Sequence, residues 1–141
     1  MDAMLLQQIM VAALKTGTPL LLIALGELIC EKSGVLNLGQ EGMMLMGAMA
    51  GFAGAHYTGN LYLGITLAMF AGVGMSLLFG GLSLSLNTNQ VATGLALTIF
   101  GTGLSSFLGG SLVGTTIDGF KPIAIPLFSD IPLLGPILFN Q

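Results

Sequence analysis

The chain has no arginine and no tryptophan, a single cysteine, a single histidine, and only three lysines and six acids in 141 residues. Charged residues make up 6% of it, against about 25% in an ordinary soluble domain. That shortfall marks a protein whose solvent is largely lipid. Without a basic patch there is nothing to neutralise a phosphate backbone, so nucleic-acid binding is excluded. One cysteine, Cys30, rules out a disulfide within the chain and a cysteine-rich metal centre. A lone histidine, His56, cannot build a multi-histidine metal site, and no nucleophile is spaced with it for acyl-transfer chemistry. No glycine-rich phosphate loop is followed by a lysine, so the chain is not expected to hydrolyse ATP. The expectation is a protein that is not an enzyme. Its start, MDAMLLQQIMVAALK, also lacks the basic flank and small-residue cleavage pattern of a secretory signal.

Hydrophobic residues account for 54% of the sequence, and the mean hydropathy is +0.95. No Asp, Glu, Lys or Arg occurs from Gly42 to Ile117, several times the roughly 20 residues that one helical crossing requires. Long continuous apolar runs argue against a transmembrane β-barrel, whose short segments alternate and carry aromatic girdles. The 22 glycines suit helices that approach closely through small residues. The fold class that follows is all-α: a polytopic transmembrane helical bundle of about four crossings, in a range of three to five. All of residues 1–141 belong to one transmembrane domain in this reading.

The polar residues concentrate in one place. Glu31 to Met46 reads EKSGVLNLGQEGMMLM, a break between apolar runs. Charge in such a position lies either at the membrane surface or against protein. Ser33-Gly34 predicts a helix end, since glycine takes the left-handed cap geometry readily. Asn37 then reads as the N-cap of a new helix, with Gln40 three residues on completing a capping box. Broken helices of this kind occur where backbone groups line a protein cavity, so Asn37, Gly39, Gln40, Glu41 and Gly42 form the candidate substrate pathway or broken-helix motif. Glu27 and Glu31 share a helical face. Two roles stand open for Glu27: a polar helix-packing residue turned toward protein, or one lining a cavity or hinge.

Ahead of the break, Lys15-Thr16-Gly17-Thr18-Pro19 allows two arrangements: a surface helix followed by a short buried one, or a single long crossing kinked at Gly17 and Pro19. The kinked crossing is the preferred reading. Beyond the break, His56 to Asn60 reads as an interfacial turn, with Tyr57 and Tyr62 in the aromatic belt. Leu61 to Leu86 is the clearest span. Within it Gly64, Ala68, Gly72, Ser76 and Gly80 recur every four residues as a helix-packing stripe, and Gly80-Gly81 offers a bend. Asn87 to Gln90 makes a polar turn, where Thr88 or Asn89 caps the next span. Thr93, Thr98, Thr102, Ser105 and Ser106 either bond back to the backbone or meet a polar solute. Lys121, Asp130 and the prolines at 122, 126, 132 and 136 oppose a regular crossing. They predict a proline-rich interfacial or re-entrant segment at 118–139.

Four stretches carry a resemblance: Thr18 to Leu22 (TPLLL), Gly26 to Ala48 (GELICEKSGVLNLGQEGMMLMGA), Asn89 to Leu97 (NQVATGLAL) and Ser129 to Leu138 (SDIPLLGPIL). Together they resemble permeases of bacterial ABC importers, in the nucleoside and simple-sugar branch related to branched-chain amino acid and ribose permeases. The resemblance implies an N-terminal part of a longer permease in the bacterial inner membrane, without a cofactor of its own. It implies as partners a second permease subunit, cytoplasmic ATP-binding subunits that hold the ATP, and an extracytoplasmic solute-binding protein or lipoprotein. The helix that receives the ATPase is expected in the later half. Leu86 to Thr88 departs from the pattern in carrying no basic residue, and three lysines leave the positive-inside rule with little to act on. Other readings of the same residues are a passive channel or helical membrane scaffold, and a truncated permease without function.

Overall fold

The computed structural model describes residues 3–121, and among these there are four α-helices and no strand. The chain divides into two compact units, one of residues 1–26 with 120–141, the other Glu27–Gly119. The expected proline-rich segment at 118–139 lies, from residue 122 onward, outside the described residues.

In the first unit the chain is helical from Ala3, as part of α1 (Ala3–Lys32), with Pro19 inside the helix. Proline has no N–H to give the carbonyl one turn back. Neighbouring hydroxyls fold onto the helix beside it: Thr18 Oγ1 donates to the Leu14 carbonyl at 2.7 Å and Thr16 Oγ1 to that of Ala12 at 3.0 Å. Leu20, Leu21 and Leu22 are each more than 60% exposed, a surface that lipid covers at no cost.

The second unit is built around α2 (Gln40–Thr58), which packs against both α3 (Leu61–Gly80) and α4 (Gln90–Gly109). Gly59 at φ +66° closes α2 in the left-handed conformation. Asn60 directly afterwards caps α3, its side chain accepting from the amides of Tyr62 and Leu63. α3 runs on into a π-helical turn, Gly81–Ser85. Asn89 caps α4 by accepting from the Ala92 amide at 3.0 Å, and α4 ends in a 3-10 turn, Gly110–Leu112. Three helices among the described residues are long and apolar enough to cross a membrane: Met4–Lys32, Leu61–Ser85 and Gln90–Leu112. On the last two, Phe70, Ile99 and Phe107 are more than 70% exposed. Side chains of that kind belong in hydrocarbon.

Glycine decides how the three helices meet. A Cβ on Gly42 would lie 2.5 Å from the Leu97 carbonyl oxygen and 2.8 Å from Thr98 Cα, and one on Gly101 would lie 2.6 Å from Gly42 Cα. α2 and α4 therefore touch backbone to backbone, the contact that small residues permit in membranes. Between α2 and α3, a Cβ on Gly64 would meet the Gly51 oxygen at 2.7 Å, and one on Gly51 would meet Ala68 Cβ at 3.1 Å.

The four-residue stripe of α3 is thus only half used within the unit. Gly64 and Ala68 pack on α2, whereas a Cβ on Gly72 or Gly80 would have nothing within 4 Å. Ser76 spends its hydroxyl on the Gly72 carbonyl at 3.1 Å. The expectation of one packing stripe along the whole helix is corrected accordingly. Past Ala68 the two helices stay together through larger side chains, with Met75 and Phe79 beside Met43 and Met46 and Ser76 Oγ 3.8 Å from Met43 Sδ, so no close backbone contact is required there. In the 141-residue chain, Gly64→Ala should lower the melting temperature in detergent by the equivalent of about 1–3 kcal/mol, as overpacking does, while Gly72→Ala should stay within about 0.5 kcal/mol. Equal losses at both positions would disprove this register.

Candidate functional site

Beyond Lys32 the chain makes a Schellman motif. Val35 N–H donates to the Cys30 carbonyl at 3.0 Å and Gly34 N–H to that of Glu31 at 2.9 Å, with Gly34 at φ +80°. This is the left-handed cap that a glycine at this point provides. Satisfying α1's last carbonyls leaves Leu36 to Gly39 as irregular backbone between apolar helices. Each polar group there needs a partner other than its own helix.

Side chains supply them one by one. Leu36 N–H donates to Gln90 Oε1, across 54 positions of sequence, at 2.8 Å. Asn37 N–H donates to Glu27 Oε1 at 3.2 Å. The Leu38 carbonyl accepts from Thr98 Oγ1 at 2.9 Å. Gly39 N–H donates to Asn37 Oδ1 at 2.9 Å, an Asx turn. The second oxygen of Glu27 accepts from the side-chain amide of Gln40, and Asn37 Nδ2 points at Met43 Sδ, 3.7 Å away. Asn37 and Gly39 are buried.

The break sits against α4 and the core. A Cβ on Gly94 would lie 2.8 Å from the Leu38 nitrogen, and one on Gly39 would lie 3.0 Å from Leu97 Cδ2. Met75, Phe79 and Leu97 form the buried apolar cluster, with Val35, Met43 and Met46 packed on it. The break thus rests on the joint between α3, α4 and α2.

This arrangement revises the expected capping box. The N-cap of α2 is Gly39, without a side-chain cap, and the helix begins at Gln40. Asn37 lies two residues too early to cap α2 and turns its oxygen onto Gly39 instead. Gln40 does not fold back as a box partner: Glu27 Oε1 accepts the Asn37 N–H that a box partner would have taken, and Gln40 Nε2 donates to the other carboxylate oxygen. Glu41 is exposed in the first turn of α2, where its charge complements the positive end of the helix. Glu27 meets protein donors, both of them neutral.

Gln90, Thr98, Gly94 and Gly101 were not among the residues expected to build the break. Their signal in the sequence is a spacing: 90, 94, 98 and 101 fall on one face of α4. Of the other hydroxyls on α4, Thr102 and Ser105 bond back to helix carbonyls. Thr93 pairs with Thr88 at 2.8 Å, and Thr88 bonds the Leu82 carbonyl. These two threonines are the polar part of an otherwise apolar cavity of about 490 Å³, walled by Leu78, Leu82, Leu97 and Phe100. His56 stacks on Phe52 with ring centroids 6.3 Å apart, a packing role. Among the described residues no group of three or more His, Cys, Asp or Glu side chains is placed to hold a metal ion.

A break held by two sequence segments far apart in the chain invites comparison with known proteins. The branched-chain amino acid transport system permease component family matches residues 9–137. The chain belongs to that family. Three relatives of this permease chain carry more specific names. A Haloferax volcanii protein named as a glucose ABC transporter permease, TsgC13, is 42% identical over 92% of the chain. The guanosine ABC transporter permease NupQ of Bacillus subtilis is 32% identical over 97%, and the nucleoside ABC transporter permease NupC of Lactococcus lactis is 28% identical over 96%. The chain spans less than half of each relative, 41% of the first and 46% of the other two. No solved structure matches it. With three helices fit to cross a membrane and this family membership, the chain is a multi-pass integral membrane protein.

Removing the Glu27 carboxylate strands two donors at once. Glu27→Ala should cost about 1.5–3 kcal/mol, the range for hydrogen bonds to a charged group, read as a lower melting temperature in detergent. Glu27→Gln should recover most of that loss, because Gln40 can turn its amide and accept where it now donates. A Gln variant as unstable as the Ala variant would show that the charge, and not the bonding pattern, holds the break.

Proposed function

We propose that this chain is the N-terminal part of a permease subunit in an ATP-driven importer of nucleoside-like or simple-sugar solutes. The single observation that carries the proposal is the 42% identity, over nearly the whole chain, to a protein named as a glucose permease. The two relatives named for guanosine and for nucleosides support the same solute class. Such solutes are neutral and rich in hydroxyls, and a helical membrane domain that keeps some backbone out of regular helix suits their passage.

The chain's part is mechanical. It supplies helices and a fixed joint in a pathway that opens to each side in turn, and performs no covalent chemistry. Energy comes from ATP held by separate cytoplasmic subunits. A second permease subunit completes the pathway, and an extracytoplasmic binding protein or lipoprotein delivers solute. The segment 36–42, with Glu27 bonded to it, belongs to the wall of that pathway.

Uptake tests this directly. Cells carrying the whole permease with its partner subunits should accumulate labelled guanosine or labelled glucose, lose that uptake when the permease is deleted, and lose it again when ATP is depleted. Unlabelled solute of the same class should compete. Uptake competed by leucine, isoleucine and valine but by no nucleoside or sugar would overturn the solute assignment.

A further inference from the structure

We propose that Gln90 and Thr98 are positioning residues of the transport cycle, locking the helix break to α4 so that the two move as one body and set the rate of solute passage. The inference rests on the permease reading above.

The bonds they make are not ones a helix makes for itself. Leu36 N–H lies past the end of α1 and ahead of α2, so neither helix can satisfy it, and Gln90 reaches it from the first residue of α4. Two turns further along the same face, Thr98 holds the Leu38 carbonyl. Most hydroxyls on membrane helices fold back onto their own backbone, as Thr102 and Ser105 do here. Thr98 departs from that habit. Between these bonds Gly94 lets the break lie directly on the helix, and beyond them Gly101 lets α2 do the same. Sliding α4 against the break would break both bonds together, so the joint has one favoured arrangement.

The chain leading into α4 is tied to itself and to the start of that helix: Leu86 N–H donates to the Gly81 carbonyl, and Thr88 bonds the Leu82 carbonyl and pairs with Thr93. A Cβ on Gly80 or Gly81 would meet nothing within 4 Å. The π turn at Gly81–Ser85 buries the Ser83 hydroxyl without a partner among the described residues, and Asn87 adopts φ +49°. Since Gln90 Oε1 and Thr98 Oγ1 are both spent on backbone, losing them changes how the wall moves and leaves solute contacts as they are.

The test uses Gln90→Leu, Gln90→Glu and Thr98→Val in the whole permease with its partner subunits. Labelled guanosine and labelled glucose serve as uptake probes, and the amount of permease in the membrane is measured by immunoblot. At equal amounts, Gln90→Leu and Thr98→Val should each lower the maximal uptake rate about tenfold with KM within about twofold. Gln90→Glu, whose carboxyl still accepts the Leu36 amide, should return to within about threefold of the unaltered protein.

A second readout does not require transport. In a Cys30→Ala background, maleimide labelling of Val35→Cys, half-buried against Met75, Phe79 and Leu97, should accelerate at least about fivefold with Gln90→Leu and return with Gln90→Glu, because the released backbone opens more often. If the unaltered permease takes up neither probe, the solute assignment fails and the labelling experiment alone decides the inference. Where Gln90→Leu does not accumulate, Thr98→Val, which keeps the side-chain shape, carries the same expectations. Unchanged labelling and unchanged uptake rate in accumulated variants would overturn the proposal, as would a raised KM at an unchanged maximal rate.

Discussion

A backbone amide or carbonyl outside regular helix must find a partner that the helix no longer supplies, and the structure of this chain follows from that constraint. α1 ends at Lys32 and α2 begins at Gln40. The chain between them keeps its polar groups satisfied only because Glu27, Asn37, Gln90 and Thr98 are brought to it. An unmade bond of this kind costs about 1–3 kcal/mol where the group is buried, a large share of a domain's net stability. Four side chains from three parts of the sequence must therefore arrive together. The helix packing that delivers them is correspondingly fixed.

Glycine is what makes the delivery geometrically possible. Hydrogen bonds of 2.8 to 2.9 Å from Gln90 and Thr98 to the break require α4 to lie close against irregular backbone. Gly94 and Gly39 leave that space, and Gly42 with Gly101 brings α2 to the same distance. A methyl group at any of these positions would push apart the elements whose bonds hold the break. Lipid tails are as apolar as the side chains packed here, so little hydrophobic force draws the helices together. Close backbone contact and satisfied polar groups carry most of what does.

The polar interruption, the helix end at Gly34, the turn reaching Asn60 and the cap at Asn89 were legible in the sequence, because each depends on a few neighbouring residues. The partners of the break were not. Gln90 lies 54 residues from Leu36, and nothing local distinguishes its amide from that of any other polar turn residue. Asn37 misled for a related reason: its spacing from Gln40 fits a capping box, but Glu27, ten residues back on α1, accepts the Asn37 N–H in Gln40's place. The α3 stripe shows the opposite failure. Its period is real along the whole helix, yet only Gly64 and Ala68 meet α2 at close range, and periodicity alone does not say where larger side chains take over the contact.

The bonding pattern also separates architecture from solute recognition. A binding site for a hydroxyl-rich solute needs donors and acceptors left over after the fold has been satisfied, since desolvating the solute without replacing its bonds forfeits affinity. The break has few to offer. Both oxygens of Glu27 are engaged, the oxygen of Asn37 holds Gly39, and Gln90 and Thr98 hold backbone. The most polar stretch of the chain is therefore a joint more than a binding site, with its polarity turned inward to keep a bent chain stable among apolar helices.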